Sequence, residues 1–169
     1  MPLGLSDAAP PATHAAEPPG PELQALWFAL AARELASVVL VPADSGLSAA
    51  VLATDLAEVG RRQLGLAVEL IVVQPSELQS PARLAAVVAA VTTANPARGA
   101  PAAAPAKPSR PSMILAIPPV TEEPLGAAIV HAAGAAVLCV ERGRSRLSAI
   151  RRTAEILGRA QIAGCFLIN

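Results

Sequence analysis

The sequence predicts a three-layer α/β/α fold in which helices cover both faces of a mainly parallel, five-stranded sheet. Two observations support this prediction. Short apolar runs alternate along the chain with helical patterns of ten or more residues, which is the order expected when a crossover helix follows each strand. Most of these runs also lack polar alternation, which is typical of strands buried on both faces of a parallel sheet.

Composition narrows the class of protein. The chain of 169 residues has a formal net charge of zero, so no overall basic field favours nucleic acid or an anionic membrane surface. A content of 53% hydrophobic and 2% aromatic residues predicts an aliphatic core of a size suited to one domain. We assign that domain to residues 21–169. Residues 1–20 and 95–112 are rich in proline and alanine, and we interpret them as a disordered tail and a flexible linker.

The hydrophobic content does not by itself predict a membrane protein. The longest apolar run, residues 127–140, contains His131 and is shorter than the roughly 18 residues that a spanning helix needs. The first 20 residues lack the basic and apolar regions of a secretory signal. We therefore expect a cytoplasmic protein without direct membrane insertion. Cys139 and Cys165 lie in apolar, strand-like runs and are predicted to be buried, reduced thiols.

The elements follow one another in a regular order. Apolar residues at helical spacing predict a first helix over residues 21–35, and a β-branched run at 38–41 predicts the first strand. A second helix follows a turn and is predicted to stop at Gly60, where two arginines provide cations at its end. The later elements are a strand at 66–73, a helix from 75 to before Pro96, a strand at 113–117, a helix at 122–133, a strand at 135–140, a helix at 145–159 and a strand at 162–168.

The chain is organised around residues 37–57, which read SVVLVPADSGLSAAVLATDLA. An apolar run stops at a Pro-Ala-Asp-Ser-Gly turn and a helical pattern follows, which is the strand–loop–helix outline of a P-loop. In a phosphate-binding version, the loop is rich in glycine and ends in Gly-Lys-Ser/Thr. The corresponding positions here are Ser48, Ala49, Ala50 and Val51. The outline is therefore present, while the groups that hold phosphate are missing.

The turn at Asp44, Ser45 and Gly46 leaves two interpretations open. Backbone N–H groups at the start of the following helix can bind an anion, but Asp44 at the mouth of the loop would repel one. The alternative, which we favour, is a turn with a structural role only.

The C-terminal third carries the most specific motifs. MILAIPPV, at residues 113–120, resembles a strand that ends Asp-x-Pro-Pro-Val, and residues 135–169 resemble a strand, basic turn, helix and closing strand that ends Leu-x-Asn. With these motifs, residues from about 20 to 169 resemble the P-loop ATPase domain of the bacterial tyrosine autokinases of capsule and exopolysaccharide export. That family is related to the septum- and chromosome-partitioning ATPases. The resemblance implies a P-loop NTPase-like sheet in the order 2-3-1-4-5.

The departures from this family all fall on its chemistry. The resemblance places the phosphate-binding lysine at Ala49, the magnesium-binding Ser/Thr at Ala50 or Val51, and the acid at the end of a strand at Ala116. The second acidic strand end should match LAVELIVVQ, which offers no aspartate at its end. Phosphoryl transfer depends almost wholly on positioning and charge stabilisation. We therefore expect a catalytically dead member of the family that uses no cofactor.

Three further residue types bear on the same expectation. The single lysine, Lys107, lies in the predicted linker, far from the loop, and the chain has no tyrosine that an autokinase could phosphorylate. Asn169 matches the asparagine that contacts adenine in the family, so it is the position for any remaining nucleotide contact.

The resemblance also bears on assembly. In the tyrosine autokinases, a Glu-x-x-Arg-x-x-Arg motif on the helix before the first strand builds a homomeric ring. Here Glu22 is kept, but Ala25 and Phe28 replace the two arginines, so we expect no homo-octameric ring. The adjacent aromatic residues Trp27 and Phe28 cannot both face one core, so one of them should lie near the surface, where it suits an interface with another protein.

A basic cluster follows the fourth predicted strand. It is either a solvated helix face, which we favour, or a surface that meets an acidic partner or a phosphate. Its members are Arg142, Arg144, Arg146, Arg151 and Arg152.

The leading hypothesis is a non-catalytic pseudokinase or pseudo-ATPase that acts as an interaction subunit in exopolysaccharide synthesis and export, for a capsule or an adhesin polysaccharide. Its partner would be a membrane-anchored export or chain-length protein, or an active paralogue, and would hold it at the inner membrane as a peripheral protein. Two alternatives stay open. One is a partitioning-ATPase-like scaffold of a polar or division apparatus, and the other is an ATPase or kinase with an unconventional phosphate loop.

Overall fold

Five parallel strands form one sheet, with helices on both faces. The structure, a computed structural model, describes residues 20–33, 35–65, 67–95 and 111–168. The strands are β1 (Ser37–Pro42), β2 (Glu69–Val72), β3 (Met113–Ala116), β4 (Ala136–Glu141) and β5 (Ile162–Ile168). The helices are α1 (Pro21–Ala31), α2 (Ala49–Leu64), α3 (Pro75–Leu78), α4 (Pro81–Ala94), α5 (Gly126–Ala133) and α6 (Leu147–Leu157), and a 3₁₀ turn at Arg159–Gln161 precedes β5.

The strand order is β2-β3-β1-β4-β5, and every neighbouring pair is parallel. This confirms the predicted topology, with β1 at the centre between β3 and β4. Because all strands run the same way, their carboxyl ends meet at one edge of the molecule, which is where open α/β sheets bind ligands. We call this edge the carboxyl-terminal rim. Pro42, Ala116 and Glu141 lie on it, at the ends of β1, β3 and β4.

Both faces of the sheet are buried. All six residues of β1 are buried. Its alternate side chains point to opposite faces, so that Val38 and Leu40 pack with α1 and α2, whereas Val39 and Val41 pack with α4 and α5. This double burial explains why the strand sequences are apolar throughout.

Gly60 does not stop α2, as the sequence predicted. The helix continues to Leu64 and ends at Gly65, which has a left-handed conformation (φ 61°) and donates its N–H to the carbonyl oxygen of Arg61. A Cβ atom on Gly60 would lie 2.3 Å from Cη2 of Trp27, so this glycine provides the space for the indole ring. The local helix-stop signal was misleading because Gly60 is required by the packing of α1 on α2.

Other boundaries differ by a few residues. The helix predicted from residue 75 is divided into α3 and α4, because the chain turns at Gln79 and Ser80 before Pro81 begins a new helix. The helix predicted from residue 122 begins at Gly126, since the N–H groups of Glu122 and Glu123 first close a turn on the carbonyl oxygen of Pro119. The strand predicted from residue 66 is shorter and begins at Glu69.

Several predictions lie outside the described residues. They are the tail up to residue 19, the linker over residues 96–110 with Lys107, and Asn169. At the two ends of the predicted linker, Asn95 caps α4, and Ser112 donates its N–H to the carbonyl oxygen of Ala36. None of the helices in the described ranges is long and apolar enough to cross a membrane.

The two cysteines have different environments. Both are free, and Cys139 is buried as predicted, with its thiol pKa raised to about 12 mainly by burial. Cys165 is exposed, so the prediction that it is buried was wrong. The reason is its position on β5, which forms one edge of the sheet and is covered less than the central strands.

Candidate functional site

The loop between β1 and α2, residues 43–48, lies on the carboxyl-terminal rim and is held from two sides. Ala43 donates its N–H to the carbonyl oxygen of Cys139 on β4, at 2.9 Å. Its own carbonyl oxygen accepts a hydrogen bond of 3.4 Å from the hydroxyl of Thr153, a buried residue of α6. The base of the loop is therefore fixed to neighbouring elements.

Asp44 ties this loop to the start of α6. Its Oδ2 accepts a hydrogen bond of 3.3 Å from the backbone N–H of Arg146, the N-cap residue of α6, and its Oδ1 accepts one of 2.9 Å from the N–H of Ser45. These backbone hydrogen bonds, that of Arg146 above all, lower the pKa of the carboxyl group below its usual value. Asp44 is thus a fixed negative charge where the sequence placed the mouth of the loop.

The N-terminus of α2 is capped by its own side chain. Ser48 is the N-cap residue, and its hydroxyl oxygen accepts a hydrogen bond of 3.3 Å from the N–H of Ala50. Ala49, at the position of the family's lysine, is only 3% exposed and belongs to the apolar core, whereas Val51 is 68% exposed. Neither residue carries a group that can contact phosphate or a metal ion.

A cleft of about 280 Å³, which we call the inner cleft, lies between this loop and the ends of β2 and β3. Glu122 is the one charged residue among those that line it, and no lysine or arginine is present in the lining. The lining residues are Pro42, Ser45, Leu47, Ser48, Ala49, Ala50, Val72, Val73, Gln74, Pro75, Ala116, Ile117, Pro118, Pro119 and Glu122.

Ala116, where the sequence resemblance places an acid, is the last residue of β3. It is almost fully buried, and its carbonyl oxygen accepts a hydrogen bond of 2.9 Å from the N–H of Val73. Pro118 and Pro119 follow directly and line the inner cleft. The end of β3 therefore carries no carboxylate at residue 116.

On the other side of the loop lies a cleft of about 430 Å³, the outer cleft. Its lining consists of Asp44, Ser45, Gly46, Leu47, Glu141, Arg144, Ser145 and Arg146. Two arginines face two carboxylates here, and one pair, Arg144 and Glu141, is joined at 2.9 Å. An ion pair as exposed as this one contributes little to stability. The outer cleft therefore has no surplus of positive charge.

The turn between β4 and α6 places some arginines of the predicted basic cluster in the outer cleft and leaves another outside it. Gly143 has a positive φ of 78°, and the hydroxyl oxygen of Ser145 accepts a hydrogen bond of 2.9 Å from the N–H of Glu141. This tight turn brings Arg144 and Arg146 to the outer cleft. Arg142 is exposed and is not part of that lining, although its N–H is bonded to the carbonyl oxygen of Ile168.

The fold is similar to that of the BceF tyrosine kinase domain. The match has a TM-score of 0.59 and 17% sequence identity, and it covers 86% of this chain and 73% of the other. Such low identity shows a shared fold alone, and that fold agrees with the resemblance inferred from the C-terminal motifs. No family model matches the chain, and no curated protein is similar to it at a significant level.

The aromatic pair on α1 is divided as expected. Trp27 is fully buried against Gly60, and Phe28 is 53% exposed. This confirms that one of the two lies at the surface, and it removes Trp27 from the set of residues that a partner can reach. Glu22 is exposed and lies at a third, largely apolar cleft of about 430 Å³.

Sequence reasoning missed several residues at these clefts. Glu122 is the charged residue of the inner cleft, and Thr153 bonds the loop from α6. Arg146 was named as part of the basic cluster, but the hydrogen bond from its backbone N–H to Asp44 was not predicted. Phe166 and Leu167 of β5 line the third cleft. The only local signal was the position of Glu122 shortly after two prolines. No group of three or more His, Cys, Asp or Glu residues suited to a metal ion occurs in the part of the chain that the structure describes.

Proposed function

We propose that this protein is a non-catalytic, tyrosine-kinase-like pseudo-ATPase that acts as an interaction subunit in exopolysaccharide synthesis and export. The observation that carries the proposal is the inner cleft. Its geometry follows the strand–loop–helix outline of a P-loop, yet its lining contains one carboxylate, from Glu122, and no cation.

The charges of the inner cleft are opposite to those that a nucleotide needs. A triphosphate requires positively charged and N–H donors, and its magnesium ion requires a hydroxyl and a carboxylate at set positions. The resemblance places the lysine at Ala49, the hydroxyl at Ala50 or Val51, and the carboxylate at Ala116, and none of these residues carries a polar side chain. Losing one preorganised donor costs about 3–4 kcal/mol of transition-state stabilisation. With every such group replaced, the remaining N–H groups of the loop cannot support phosphoryl transfer.

The proposed role in polysaccharide export is based on the sequence resemblance. The shared fold with a tyrosine kinase domain supports the more general statement that the protein has a tyrosine-kinase-like fold. We propose that the protein binds a membrane-anchored export or chain-length protein, or an active kinase paralogue. Such a partner would hold it at the inner membrane from the cytoplasmic side. Nucleic acid is not proposed as a partner, because the net charge is zero.

Phe28 is the residue of α1 best placed to contact that partner. It is 53% exposed on a helix whose neighbouring Trp27 is buried, so the helix is anchored to the core and presents one aromatic side chain outward. Aromatic residues are enriched among the side chains that dominate binding energy at interfaces. The helix lacks the arginines of the ring-forming motif, which agrees with a contact to a different protein.

Capture of candidate partners tests this proposal. The bait is the purified protein, and the candidates are export proteins and kinase paralogues encoded beside its gene. We expect Phe28→Ala to weaken capture of one candidate about tenfold or more, the range of an interface anchor. Leu125→Ala is the matched control, since Leu125 has nearly the same exposure, 52%. Equal capture by both variants, or no candidate captured by the unaltered protein, would contradict the proposal.

A gain-of-function test addresses the missing chemistry. Ala49→Lys alone restores the cation but not the metal ligands, so we expect no hydrolysis of ATP in the presence of magnesium. The measurement is phosphate release, with Gly46→Ala as a control that changes the same loop without adding charge. Clear turnover by Ala49→Lys would mean that the site needs only one group to act, which is contrary to the proposal.

A further inference from the structure

The two edges of the sheet differ in how well they are protected against pairing. β2 forms one edge and has four residues, the first of which is the exposed, charged Glu69. β5 forms the other edge and has seven residues, IAGCFLI, without a charge or a proline. Proteins commonly blunt open edges by short strands, charges or prolines. By these criteria, and among the residues that the structure describes, the edge at β2 is protected and the edge at β5 is not.

The hydrogen bonding of β5 shows which of its backbone groups are free to pair. The carbonyl oxygen of Ile168 accepts a hydrogen bond of 2.8 Å from the N–H of Arg142, just after β4, so the backbone polar groups of Ile168 point inward. The register with β4 is regular from Gly164 to Ile168. Because these directions alternate along a strand, the N–H and C=O groups of Cys165 and Leu167 point outward. No strand pairs with them among the described residues.

The side chains at this edge are also available. Leu167 is 62% exposed, and Cys165 is exposed. Phe166 points to the opposite face and is half-buried at the third cleft, beside α1 and α2. The regular part of the edge therefore presents apolar side chains on both faces of the sheet. Its outward backbone groups belong to Cys165 and Leu167, which lie symmetrically about Phe166.

We propose that β5 pairs antiparallel with β5 of a second copy of this chain, about a two-fold axis at Phe166. This register places Cys165 opposite the partner's Leu167, and Leu167 opposite the partner's Cys165. Each of these is a hydrogen-bonded pair, so all outward N–H and C=O groups of the two residues are satisfied. The result is a continuous ten-stranded sheet with an isologous interface.

The side chains favour a second copy as the occupant. Phe166 lies opposite its own equivalent at the axis, and aromatic cross-strand pairs are among the stabilising ones. At each end of the paired segment, Gly164 lies opposite Ile168 of the other copy. A Cβ on Gly164 would meet nothing within 4 Å, so there is room for the larger side chain of Ile168. β5 has no charged residue, so its self-pairing brings no like charges together. This dimer goes beyond the proposed function and does not depend on it.

Sedimentation of the full chain over a range of concentrations tests the proposal. We expect a monomer–dimer equilibrium for the unaltered protein. The double variant Cys165→Glu, Leu167→Glu places like charges opposite each other in both outward pairs, and we expect it to dimerise about tenfold or more weakly. The double variant Cys165→Ser, Leu167→Ser is the uncharged control and should retain more of the dimer. Circular dichroism establishes that each variant is folded.

A charge-complementation experiment tests the register and the identity of the partner. Cys165→Lys, Leu167→Lys should also dimerise about tenfold or more weakly, but mixing it with the double glutamate variant should restore a dimer. In addition, Leu167→Cys places a new thiol opposite the partner's Cys165, within the range of Cα separations that a disulfide spans, and should give a covalent dimer under oxidised glutathione. A monomer at every concentration for the unaltered protein, or a dimer unaffected by the double glutamate change, would overturn the proposal.

Discussion

The central strands of the sheet and the two apolar cores beside them, which we call the body, differ from the carboxyl-terminal rim in the kind of residue that they contain. In the body, β1, β3 and β4 are almost completely buried, and their alternate side chains fill two apolar cores. At the rim, the loop has the path of a P-loop, but its charged residue is Asp44, which accepts a hydrogen bond from the start of α6, and the lining of the inner cleft adds a second carboxylate and no lysine or arginine. Strand pattern and site chemistry can therefore diverge, which is why a shared fold does not establish a shared activity.

The largest effect should come from the body, where packing is tight. Gly60→Ala places a methyl group 2.3 Å from Cη2 of the buried Trp27, a contact that a rigid ring cannot relieve by rotating away. Overpacking of this kind costs about 1–3 kcal/mol, and the gain in helix propensity offsets only part of that. We expect a fall in the melting temperature of several degrees, measured by thermal unfolding.

The control for this prediction lies at the rim. A Cβ on Gly46 would have no atom within 4 Å, so Gly46→Ala should change the free energy of unfolding by less than about 0.5 kcal/mol. Because the clash requires the indole ring, Gly60→Ala should cost less stability in a Trp27→Leu background, where the side chain is smaller, than in the unaltered protein. If Gly60→Ala instead raised the melting temperature, the packing of α1 on α2 would differ from that described.

An intermediate loss of stability is expected at the amino-terminal ends of the strands, opposite the rim. The side-chain amide of Asn95 donates to the hydroxyl of Ser37 at 2.5 Å and to the carbonyl oxygen of Ala133 at 3.2 Å, thus joining α4, β1 and α5. Asn95→Ala leaves the buried hydroxyl of Ser37 without this partner, at a cost of about 1–2 kcal/mol. Urea unfolding should show a lower midpoint with an unchanged slope. Thr93→Ala, at an exposed helical position, is the matched control.

The smallest effect is expected at the rim and depends on pH. The pKa of Asp44 is lowered in the folded protein, so its ionised form contributes stability that is fully present above about pH 4. This contribution is lost as the pH falls through the lower, folded-state pKa. Asp44→Asn should lower the melting temperature slightly at pH 7, and this difference should shrink as the pH falls below the folded-state pKa of Asp44. A difference that persisted in acid would contradict this assignment.

The sequence was sufficient to predict the strands and topology of the body. The apolar runs placed β1 and β5 within a residue or two, and Ala49 and Ala116 could be identified from their motifs. The contacts that hold the loop at the rim could not be predicted. Asp44 and Arg146 are 102 residues apart, and Ala43 and Thr153 are 110 apart.

The errors have the same physical origin. Gly60 carries a local signal typical of a helix end, and only the indole ring of Trp27, from another helix, shows why a glycine is needed there. Cys165 lies in an apolar run that is typical of a buried strand, and only the sheet order shows that β5 is an edge. The role of Gly60 and the exposure of Cys165 both depend on residues that are distant in the sequence. A local sequence pattern carries no information about such residues.

Calorimetric titration of the full chain with ATP and magnesium tests directly whether the rim keeps the path of a phosphate-binding loop without the ability to bind a nucleotide. We predict no saturable heat in the submillimolar range, and no rise in melting temperature, since a ligand that binds the native state must raise it. Saturable binding of one nucleotide per chain, weakened by a change in the loop such as Ser48→Pro, would contradict the account.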